Sequence, residues 1–315
     1  MSSMLSVSSE AGEFKRPEDG YTREEVVCNI CGVKDERFLY NIPERVVQCR
    51  RCGLVYLNPR LDGESLKKVY SKEYFVSDND RPGIDYPAYV NYIGEEPIIT
   101  RSMHLRMKKV EKYTEKKGRV LDVGCAAGFS LLAAIQRGWL AEGIEISDFC
   151  VDYARSRDLK VHHGSLSDYP GETESFDAIT MWDYLEHSTD PLKDLKICMS
   201  LLKTGGVIVC SIPNIDSWSY RLFGRKWIGF KNIEHFYFFS RSTIAQLAKL
   251  AGFHMEQSYY LGKYVSLSFY LSRVQYYTGF RPILILVEKL ANTRLANSIS
   301  FYFNPFDILN VVLRK

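Results

Sequence analysis

The stretch Arg119 to Ser130, R-V-L-D-V-G-C-A-A-G-F-S, decides the fold of this chain. Val120 to Val123 is a short, mostly apolar run, and a glycine turn follows it at once. Apolar residues then recur at helical spacing, at Leu131, Leu132, Ile135 and Trp139. Glycine permits turns that a Cβ forbids, and it lets the backbone pass close to a ligand. The stretch therefore predicts a strand, a tight turn and a helix, with a cofactor held at the turn.

Two other nucleotide-binding motifs do not fit this turn. The dinucleotide fingerprint G-x-G-x-x-G would need glycine where the chain has Ala126 and Phe129. A P-loop would need a Gly-Lys-Ser/Thr sequence, and none follows. The motif alone leaves one alternative open, an ordinary glycine-rich turn that holds no ligand.

The segment D-V-G-C-A-A-G, residues 122–128, resembles the first motif of class I S-adenosylmethionine-dependent methyltransferases, usually D-x-G-x-G-x-G. Ala126 departs from that motif at one glycine position. The resemblance implies that S-adenosylmethionine is the cofactor. It also implies that five residues of the strand end and loop contact this cofactor: Asp122, Gly124, Cys125, Ala126 and Gly128.

Three more predicted strands extend the pattern. The first, Leu140 to Ile146, ends near Glu145, whose carboxylate can accept two hydrogen bonds from a ribose diol. The others span Lys160 to His163 and Phe176 to Met181. By resemblance to the methyltransferases, residues at these strand ends complete the cofactor site beside Glu145: Ile146, the adenine contacts Ser165 and Leu166, and Met181 and Trp182 facing the methyl donor.

Two C-x-x-C pairs, Cys28 with Cys31 and Cys49 with Cys52, are each followed directly by glycine. Each pair turns two thiolates to one side of a knuckle, and two knuckles complete the tetrahedron that zinc prefers. Four thiolates leave no open coordination position, so we expect a structural Zn²⁺ that performs no chemistry. Short strands at residues 38–40 and 46–48 would complete a zinc ribbon.

Arg50 and Arg51 leave a second interpretation of the ribbon open, because such modules can present side chains to nucleic acid. We favour two solvated arginines, since the ribbon has no basic stripe and has Asp35, Glu36 and Glu44 nearby. The order C-x-x-C-G, C-x-x-C-G-L-V-Y-x-N-P-R and then the loop motif resembles a group of bacterial zinc-ribbon methyltransferases. These are relatives of the ubiquinone-biosynthesis O-methyltransferases and of enzymes that modify small molecules and sugars. The resemblance covers roughly residues 26–256.

Polar side chains follow the fourth predicted strand in W-D-Y-L-E-H-S-T-D-P, residues 182–191. Open α/β sheets bind ligands at this edge, and histidine titrates near neutrality, so His187 beside Glu186 is a candidate catalytic base. In quinone O-methyltransferases the matching stretch looks like E-x-x-E-H. That resemblance implies a second divalent site, for an ion such as Mg²⁺, on Asp183, Glu186 and His187. The alternative is that Glu186 and His187 only cap and orient the loop.

A second candidate base, His235, lies in an aromatic segment after the fifth predicted strand, Val207 to Asn214. Aromatic side chains at the ligand edge of a sheet are typical of an acceptor pocket. A lone histidine is more often a structural hydrogen-bond partner, and that alternative stays open. Ser240 is predicted to cap a helix from Arg241 to Ala251.

The carboxyl-terminal region predicts two more strands, Tyr259 to Ser268 and an antiparallel Phe306 to Val312. Between them, residues 269–304 carry aromatic and aliphatic residues with scattered arginine and lysine at helical spacing. We predict amphipathic helices there. Three uses compete: a lid over the acceptor, a dimer surface, or contact with a membrane surface.

The predicted fold is α/β, a Rossmann-like sheet of seven strands, six parallel and one antiparallel, with a small amino-terminal zinc ribbon. The predicted division is a flexible tail (1–24), the ribbon (25–62), a helical linker or lid (63–117) and the cofactor-binding domain (118–315). The 315 residues carry a formal charge of only +3, so we expect no nucleic-acid partner. No signal peptide or long apolar run is visible, so we expect a cytoplasmic protein whose oligomeric state stays open.

These features predict transfer of a methyl group from S-adenosylmethionine to a hydroxyl, less favourably a carbon, of a small molecule, glycan or lipid-linked isoprenoid. His187 or His235 would act as the base. Two rival hypotheses stay open. One is an RNA methyltransferase that uses the ribbon to contact RNA, and the other is a scaffold that binds the cofactor without catalysis.

Overall fold

The computed structural model of this protein describes residues 19–42, 44–76, 92–230, 233–278 and 299–315. Most of the predicted tail, residues 1–18, lies outside the described residues, and so do residues 279–298 of the predicted insertion. No helix in the described ranges is long and apolar enough to cross a membrane.

The amino-terminal module consists of short strands followed by two short helices. Its elements are β1 (Arg23–Glu24), β2 (Glu36–Ile42), β3 (Glu44–Cys49), β4 (Val55–Leu57), β5 (Arg60–Leu61), α1 (Gly63–Val69) and α2 (Lys72–Val76). The two predicted ribbon strands are confirmed as β2 and β3, which pair antiparallel. The predicted helical linker begins with two short helices instead of one continuous helix. Its chain divides into α1 and α2 because the backbone leaves the helical conformation at Tyr70, where ψ is 39°.

The larger domain alternates helices and strands. Its first half contains α3 (Glu96–Val110), β6 (Arg119–Val123), α4 (Phe129–Gln136), β7 (Leu140–Glu145), α5 (Asp148–Arg155), β8 (Val161–His163), β9 (Phe176–Trp182), α6 (Pro191–Leu201) and β10 (Leu202–Pro213). Its second half contains α7 (Trp218–Phe223), β11 (Tyr237–Phe238), α8 (Arg241–Leu250), β12 (His254–Tyr260), β13 (Lys263–Ser266), α9 (Leu267–Thr278), β14 (Ser300–Phe303) and β15 (Ile308–Arg314).

Seven of these strands form the central sheet in the order β12-β15-β10-β9-β6-β7-β8. β15 runs antiparallel to both of its neighbours, and the other pairings in the sheet are parallel. The predicted fold of six parallel strands and one antiparallel strand is therefore confirmed. Ser240 accepts a hydrogen bond from the Thr243 backbone N–H and caps α8, as predicted.

The predicted sixth strand, Tyr259 to Ser268, is wrong. β12 ends at Tyr260, and the chain then leaves the sheet and forms β13, which pairs with β14 in a separate two-stranded sheet. Gly262 lies at this departure, where an added Cβ would overlap the Phe303 carbonyl. Apolar residues on both sides of that glycine made two strands look like one. The predicted helical insertion likewise begins as helix α9 but ends as strand β14.

The ribbon and the larger domain share one sheet and one core. β11, from the larger domain, pairs antiparallel with β4 and completes a four-stranded sheet in the order β11-β4-β3-β2. Buried residues of both parts, among them Val47 and Phe236, belong to a single hydrophobic cluster. The ribbon is thus packed directly against the segment that precedes α8.

Candidate active site

The turn after β6 has the predicted glycine geometry. Gly124 and Gly128 have φ values of +73° and +80°, a region that other L-residues rarely adopt. The space beside them is filled by protein: an added Cβ would lie 2.7 Å from Cδ2 of Tyr184 at Gly124, and 2.5 Å from Cδ1 of Leu159 at Gly128. Both glycines are therefore required by the turn and by close packing. Ala126, the departure from the usual motif, also has a positive φ of 46°.

Glu145 lies at the carboxyl end of β7 and contacts this loop directly. Its Oε2 accepts a hydrogen bond from the Ala126 backbone N–H at 2.8 Å, and its Oε1 accepts the Ile146 and Ser147 N–H groups at 2.8 Å each. Burial raises the pKa of Glu145 above its ordinary value, although the three N–H donors oppose that change. The carboxylate is therefore held rigidly beside the loop, where a ribose diol could also reach it.

Asp122 lies beneath the loop and is buried. Thr180 Oγ1 donates to Asp122 Oδ1 at 2.6 Å, and Ser130 Oγ donates to Oδ2. Burial raises the pKa of Asp122 to about 6. Its oxygens thus tie β6 to β9 and to the start of α4. This geometry favours a role in shaping the loop for Asp122, which we had predicted as a cofactor contact.

The remaining predicted cofactor residues surround this strand–turn–helix unit. Cys125 and Leu166 are buried, and so are Met181 and Trp182 at the end of β9. Ser165 precedes a single 3₁₀ turn, Leu166–Asp168, and donates its hydroxyl hydrogen to Asp168 Oδ2 at 2.6 Å. These positions lie along the carboxyl ends of β6, β7, β8 and β9, the edge at which open α/β sheets bind ligands.

The two candidate bases lie against each other. The imidazole rings of His187 and His235 are 4.4 Å apart between centroids and perpendicular. His235 Nδ1 is 2.9 Å from the Gly229 carbonyl oxygen. A carbonyl only accepts, so Nδ1 carries the proton and donates, and Nε2 of neutral His235 holds the lone pair. His235 is thus oriented as a proton acceptor.

Tyr70, which sequence reasoning missed, links these histidines to the cofactor loop. Its hydroxyl is 2.8 Å from His187 Nδ1, and its carbonyl accepts a hydrogen bond from Ser147 Oγ at 2.9 Å. Ser147 also donates to Glu145 through its backbone N–H. The tyrosine comes from the end of α1, and a lone Tyr in a predicted helix carries no signal of such a role. The proton-handling groups and the predicted ribose site are therefore neighbours.

Two buried carboxylates complete the acid–base set. Glu186 and Glu234 are both nearly inaccessible to solvent. The Glu186 carbonyl accepts hydrogen bonds from the Phe236 and Tyr237 N–H groups, at 2.7 and 3.2 Å, which brings the loop after β9 against the segment before β11. Tyr74 donates its hydroxyl hydrogen to Glu234 Oε1 at 3.3 Å. Two separate loops thus contribute to one cluster.

Glu186, His187 and His235 could also hold a metal ion, because their ligand atoms all lie within 4.8 Å of one another. This set differs from the predicted one in one ligand, because His235 takes the place of Asp183. Asp183 has a positive φ of 53°, and its carboxylate turns to Ser211 Oγ at 2.8 Å and to Arg106. Two imidazoles and one carboxylate suit a transition-metal ion better than Mg²⁺, which prefers oxygen ligands.

Arg106 is a second residue that sequence reasoning missed. It is buried on α3, with Nη2 at 3.4 Å from Asp183 Oδ2 and Cζ at 5.0 Å from the Trp182 ring centroid. Its Nη1 has no hydrogen-bond acceptor among the described residues. Arg106, Asp183 and residues of β13 line an open pocket. A buried cation beside a cavity can bind an acidic group of a ligand.

The four ribbon cysteines lie together, as the predicted zinc site requires. The sulfur atoms of Cys28, Cys31, Cys49 and Cys52 all lie within 4.8 Å of one another. Tetrahedral zinc with bonds of about 2.3 Å requires sulfur atoms about 3.8 Å apart, so the residues fit Zn²⁺. Gly32 and Gly53 repeat the same turn after each pair, with φ values of +67° and +82°.

The first knuckle contacts the loop that carries Glu186 and His187. Asn29 Nδ2 donates to Asp190 Oδ1 at 2.9 Å, and its Oδ1 accepts the Leu192 N–H at 3.0 Å. Asp190 is the residue that caps α6. Arg60 in β5 donates to the Tyr237 hydroxyl at 2.8 Å. The ribbon therefore supports both loops of the acid–base cluster.

Known proteins resemble this chain over its larger domain. A family model described as "Methyltransferase domain" matches residues 99–258. A ubiquinone biosynthesis O-methyltransferase of Coxiella burnetii is 29% identical over 133 residues, covering 39% of this chain and 57% of the relative. The corresponding protein of Histophilus somni is 33% identical over 130 residues, covering 36% of this chain and 53% of the relative. The chain thus spans about half the length of the curated relatives it matches.

Solved structures also resemble the protein. A SAM-dependent methyltransferase from Archaeoglobus fulgidus superposes with a TM-score of 0.49 at 18% identity, covering 71% of this chain and 99% of that chain. A methyltransferase of Haloferax volcanii, solved with its activator protein, has a TM-score of 0.47 at 16% identity, covering 70% of this chain and 92% of that chain.

Proposed function

The chain belongs to the class I S-adenosylmethionine-dependent methyltransferases, and from this premise we propose that it methylates a hydroxyl group of a small-molecule, glycan or lipid-linked acceptor. The observation that carries the proposal is the pair His187 and His235, whose perpendicular rings lie 4.4 Å apart beside the buried Glu186. A hydroxyl must lose its proton as the methyl group arrives, and a positioned histidine is suited to accept it.

S-adenosylmethionine, when bound, supplies a methyl group on a positively charged sulfur. The chain's own residues would hold this donor: Glu145 at the ribose, the Gly124 to Gly128 turn along its length, and Arg106 at its carboxylate. Support for the last assignment comes from the buried, partly unpaired guanidinium of Arg106. Glu145 would accept hydrogen bonds from the ribose hydroxyls, and the Arg106 cation would pair with the carboxylate of the donor.

The proton would move to Nε2 of His235. Its Nδ1–H is held by the Gly229 carbonyl, which fixes the tautomer and the direction of the ring. His187, held by Tyr70, packs against the same ring and can orient the acceptor hydroxyl. The burial of Glu186 and His235 excludes water from this end of the cleft. Positioning and proton removal would supply the rate acceleration.

The test is a turnover assay with S-adenosylmethionine and a panel of phenol, sugar and lipid-linked hydroxyl acceptors, read by mass gain of one methylene. We expect His235→Ala to lower kcat by about a hundredfold to ten-thousandfold, the usual contribution of general base catalysis. The affinity for the donor, measured by calorimetry, should stay within about twofold, because His235 is held by Gly229 and His187, which lie outside the Gly124 to Gly128 turn. Unchanged kcat in His235→Ala and in His187→Ala would contradict the proposal and favour a non-catalytic scaffold.

Carbon methylation is the second candidate, and the number of buried proton-handling groups favours it. Glu186 and Glu234 are buried beside the two histidines, more groups than one hydroxyl proton needs. Removing a proton from carbon requires a stronger base and a partner for the resulting enolate. NMR of the product distinguishes the two functions, because a new methyl group on oxygen and one on carbon have different proton and carbon shifts.

We also propose that the four ribbon cysteines bind one structural Zn²⁺ per chain. The proposal is supported by the clustering of Cys28, Cys31, Cys49 and Cys52 and by the repeated glycine turns. Replacing Cys28 with serine should remove the metal and lower the thermal unfolding temperature together, since the metal contributes folding energy. Atomic absorption and calorimetry measure the two effects. A metal-free Cys28→Ser protein with unchanged unfolding temperature would contradict a structural role.

A further inference from the structure

Five large apolar side chains are exposed on one surface, which we call the aromatic face: Trp218, Leu222, Tyr260, Tyr276 and Phe306. Their exposed fractions are 51%, 67%, 43%, 37% and 56%. Single exposed apolar residues are common and need no explanation, whereas a connected set of this size marks an interaction surface.

Contacts connect the members of this face. Trp218 donates its Nε1–H to the Pro305 carbonyl at 2.6 Å, which places α7 beside Phe306. The rings of Phe306 and Tyr260 have centroids 6.1 Å apart. On the other side of α7, Phe223 stacks on Tyr277 at 3.9 Å, and Tyr277 is in ring contact with Tyr276. The face therefore runs from α9 across α7 to the start of β15.

Cations border the aromatic face. Arg221, Arg225 and Lys226 are exposed, while Asp216 is the only exposed acid between residues 216 and 226. At 100° per residue, Arg221 stands about 60° around α7 from Trp218, so charge and apolar surface adjoin. Tryptophan and tyrosine beside arginine and lysine are the composition of surfaces that lie in the headgroup region of a bilayer.

We propose that the aromatic face docks the protein onto an anionic membrane surface. Apolar rings would enter the headgroup region, and the three cations would pair with acidic lipids. A second copy of the chain is a poorer occupant, because a two-fold interface would join two copies of the same patch, which has three exposed cations and one exposed acid between residues 216 and 226. Charge complementarity thus favours acidic lipid over self-association.

The face also lies close to the proton-handling cluster. The Tyr277 hydroxyl accepts a hydrogen bond from the Ile228 N–H at 3.0 Å, and the next residue, Gly229, holds His235. Pro213 at the carboxyl end of β10 pairs with Ile308, so Phe306 lies at the ligand edge of the sheet. Docking by this face would bring a membrane-borne acceptor to the side of the protein that carries His235.

The experiment is co-sedimentation of the full chain with vesicles of phosphatidylcholine alone, or mixed with phosphatidylglycerol. We expect sedimentation with the mixed vesicles only. Trp218→Ser combined with Leu222→Ser should lower the partition coefficient at least about tenfold. Arg221→Gln combined with Arg225→Gln should lower it about fivefold for each arginine. Leu140→Ser is the matched control, because Leu140 is 72% exposed at the amino end of β7, on the opposite edge of the sheet.

Three outcomes would overturn the proposal. The first is failure of the unmodified protein to sediment with mixed vesicles. The second is an equal loss for Leu140→Ser and the aromatic-face variants. The third is a change from dimer to monomer in light scattering, with no change in vesicle binding, which would assign the face to a second copy. Donor affinity and unfolding temperature, measured on each variant, separate these results from misfolding and from failure of the proposed methyl transfer.

Discussion

The donor half and the acid–base half of the active site differ in how their residues are spread along the chain. Within the donor half, the glycine turn and Glu145 come from one continuous strand–helix–strand unit that runs from Asp122 to Ser147, and Arg106 and the ends of β8 and β9 add to it. The acid–base half is assembled from three distant segments, which contribute Tyr70, Glu186 with His187, and His235. Hydrogen bonds within that one unit hold Glu145 against the loop. The acid–base half requires the whole chain, including the ribbon that supports two of those segments.

The largest effect should come from the donor half. Glu145→Ala removes a buried carboxylate that would accept two ribose hydroxyls, and hydrogen bonds to a charged group contribute about 1.5–3 kcal/mol each. We expect a loss of about 4 kcal/mol in donor binding, or roughly a thousandfold in affinity. Calorimetric titration with S-adenosylmethionine measures it.

Glu142→Gln is the matched control for that measurement. Glu142 is a buried carboxylate on the same strand, but it pairs with Arg119 at 2.7 Å and Lys160 at 2.6 Å, away from the loop. The control should lose stability while keeping its affinity for the donor. Zinc content should be unchanged in both variants, since Glu145 and Glu142 make their hydrogen bonds and ion pairs within the larger domain. Equal donor affinity in Glu145→Ala and Glu142→Gln would place the ribose elsewhere.

The same contrast explains what could be predicted from the sequence. The glycine turn and the position of Glu145 belong to one local unit, so both follow from spacing within a short stretch. Tyr70, Arg106 and Asn29 were missed because each acquires its role from a contact more than fifty residues away in sequence. His235 was a candidate from its residue type and from its place in an aromatic segment after the fifth predicted strand. Its partner His187 and its tautomer depend on how two loops meet.

A smaller effect, on stability, should come from Asp122 beneath the loop. Its pKa is about 6 in the folded protein and about 3.9 when unfolded. The folded state therefore binds more protons between these values, and stability falls as pH rises. Relative to Asp122→Asn, we expect the unmodified protein to lose about 2 kcal/mol of unfolding free energy from about pH 4 to about pH 7.

Urea unfolding across that range measures the difference between the two proteins. Glu142→Gln gives a control of opposite sign, because Lys160 and Arg119 hold the pKa of Glu142 below its ordinary value in spite of burial. Relative to that variant, the unmodified protein should gain stability as pH rises through about 4. A difference between the unmodified protein and Asp122→Asn that does not change with pH would show that Asp122 is not a buried titrating group.

The smallest effect should come from Asn29, which tests whether the ribbon supports the acid–base half. Asn29→Ala removes two hydrogen bonds that hold Asp190 and Leu192 at the end of the catalytic loop. Each hydrogen bond contributes about 0.5–1.5 kcal/mol, so we expect kcat to fall about tenfold. Donor affinity and zinc content should be unchanged. Arg50→Ala is the matched control, because Arg50 is exposed at the corresponding position of the second knuckle. If Asn29→Ala kept full kcat, the ribbon would contribute stability alone, and the acid–base half would be as independent of it as the donor half is.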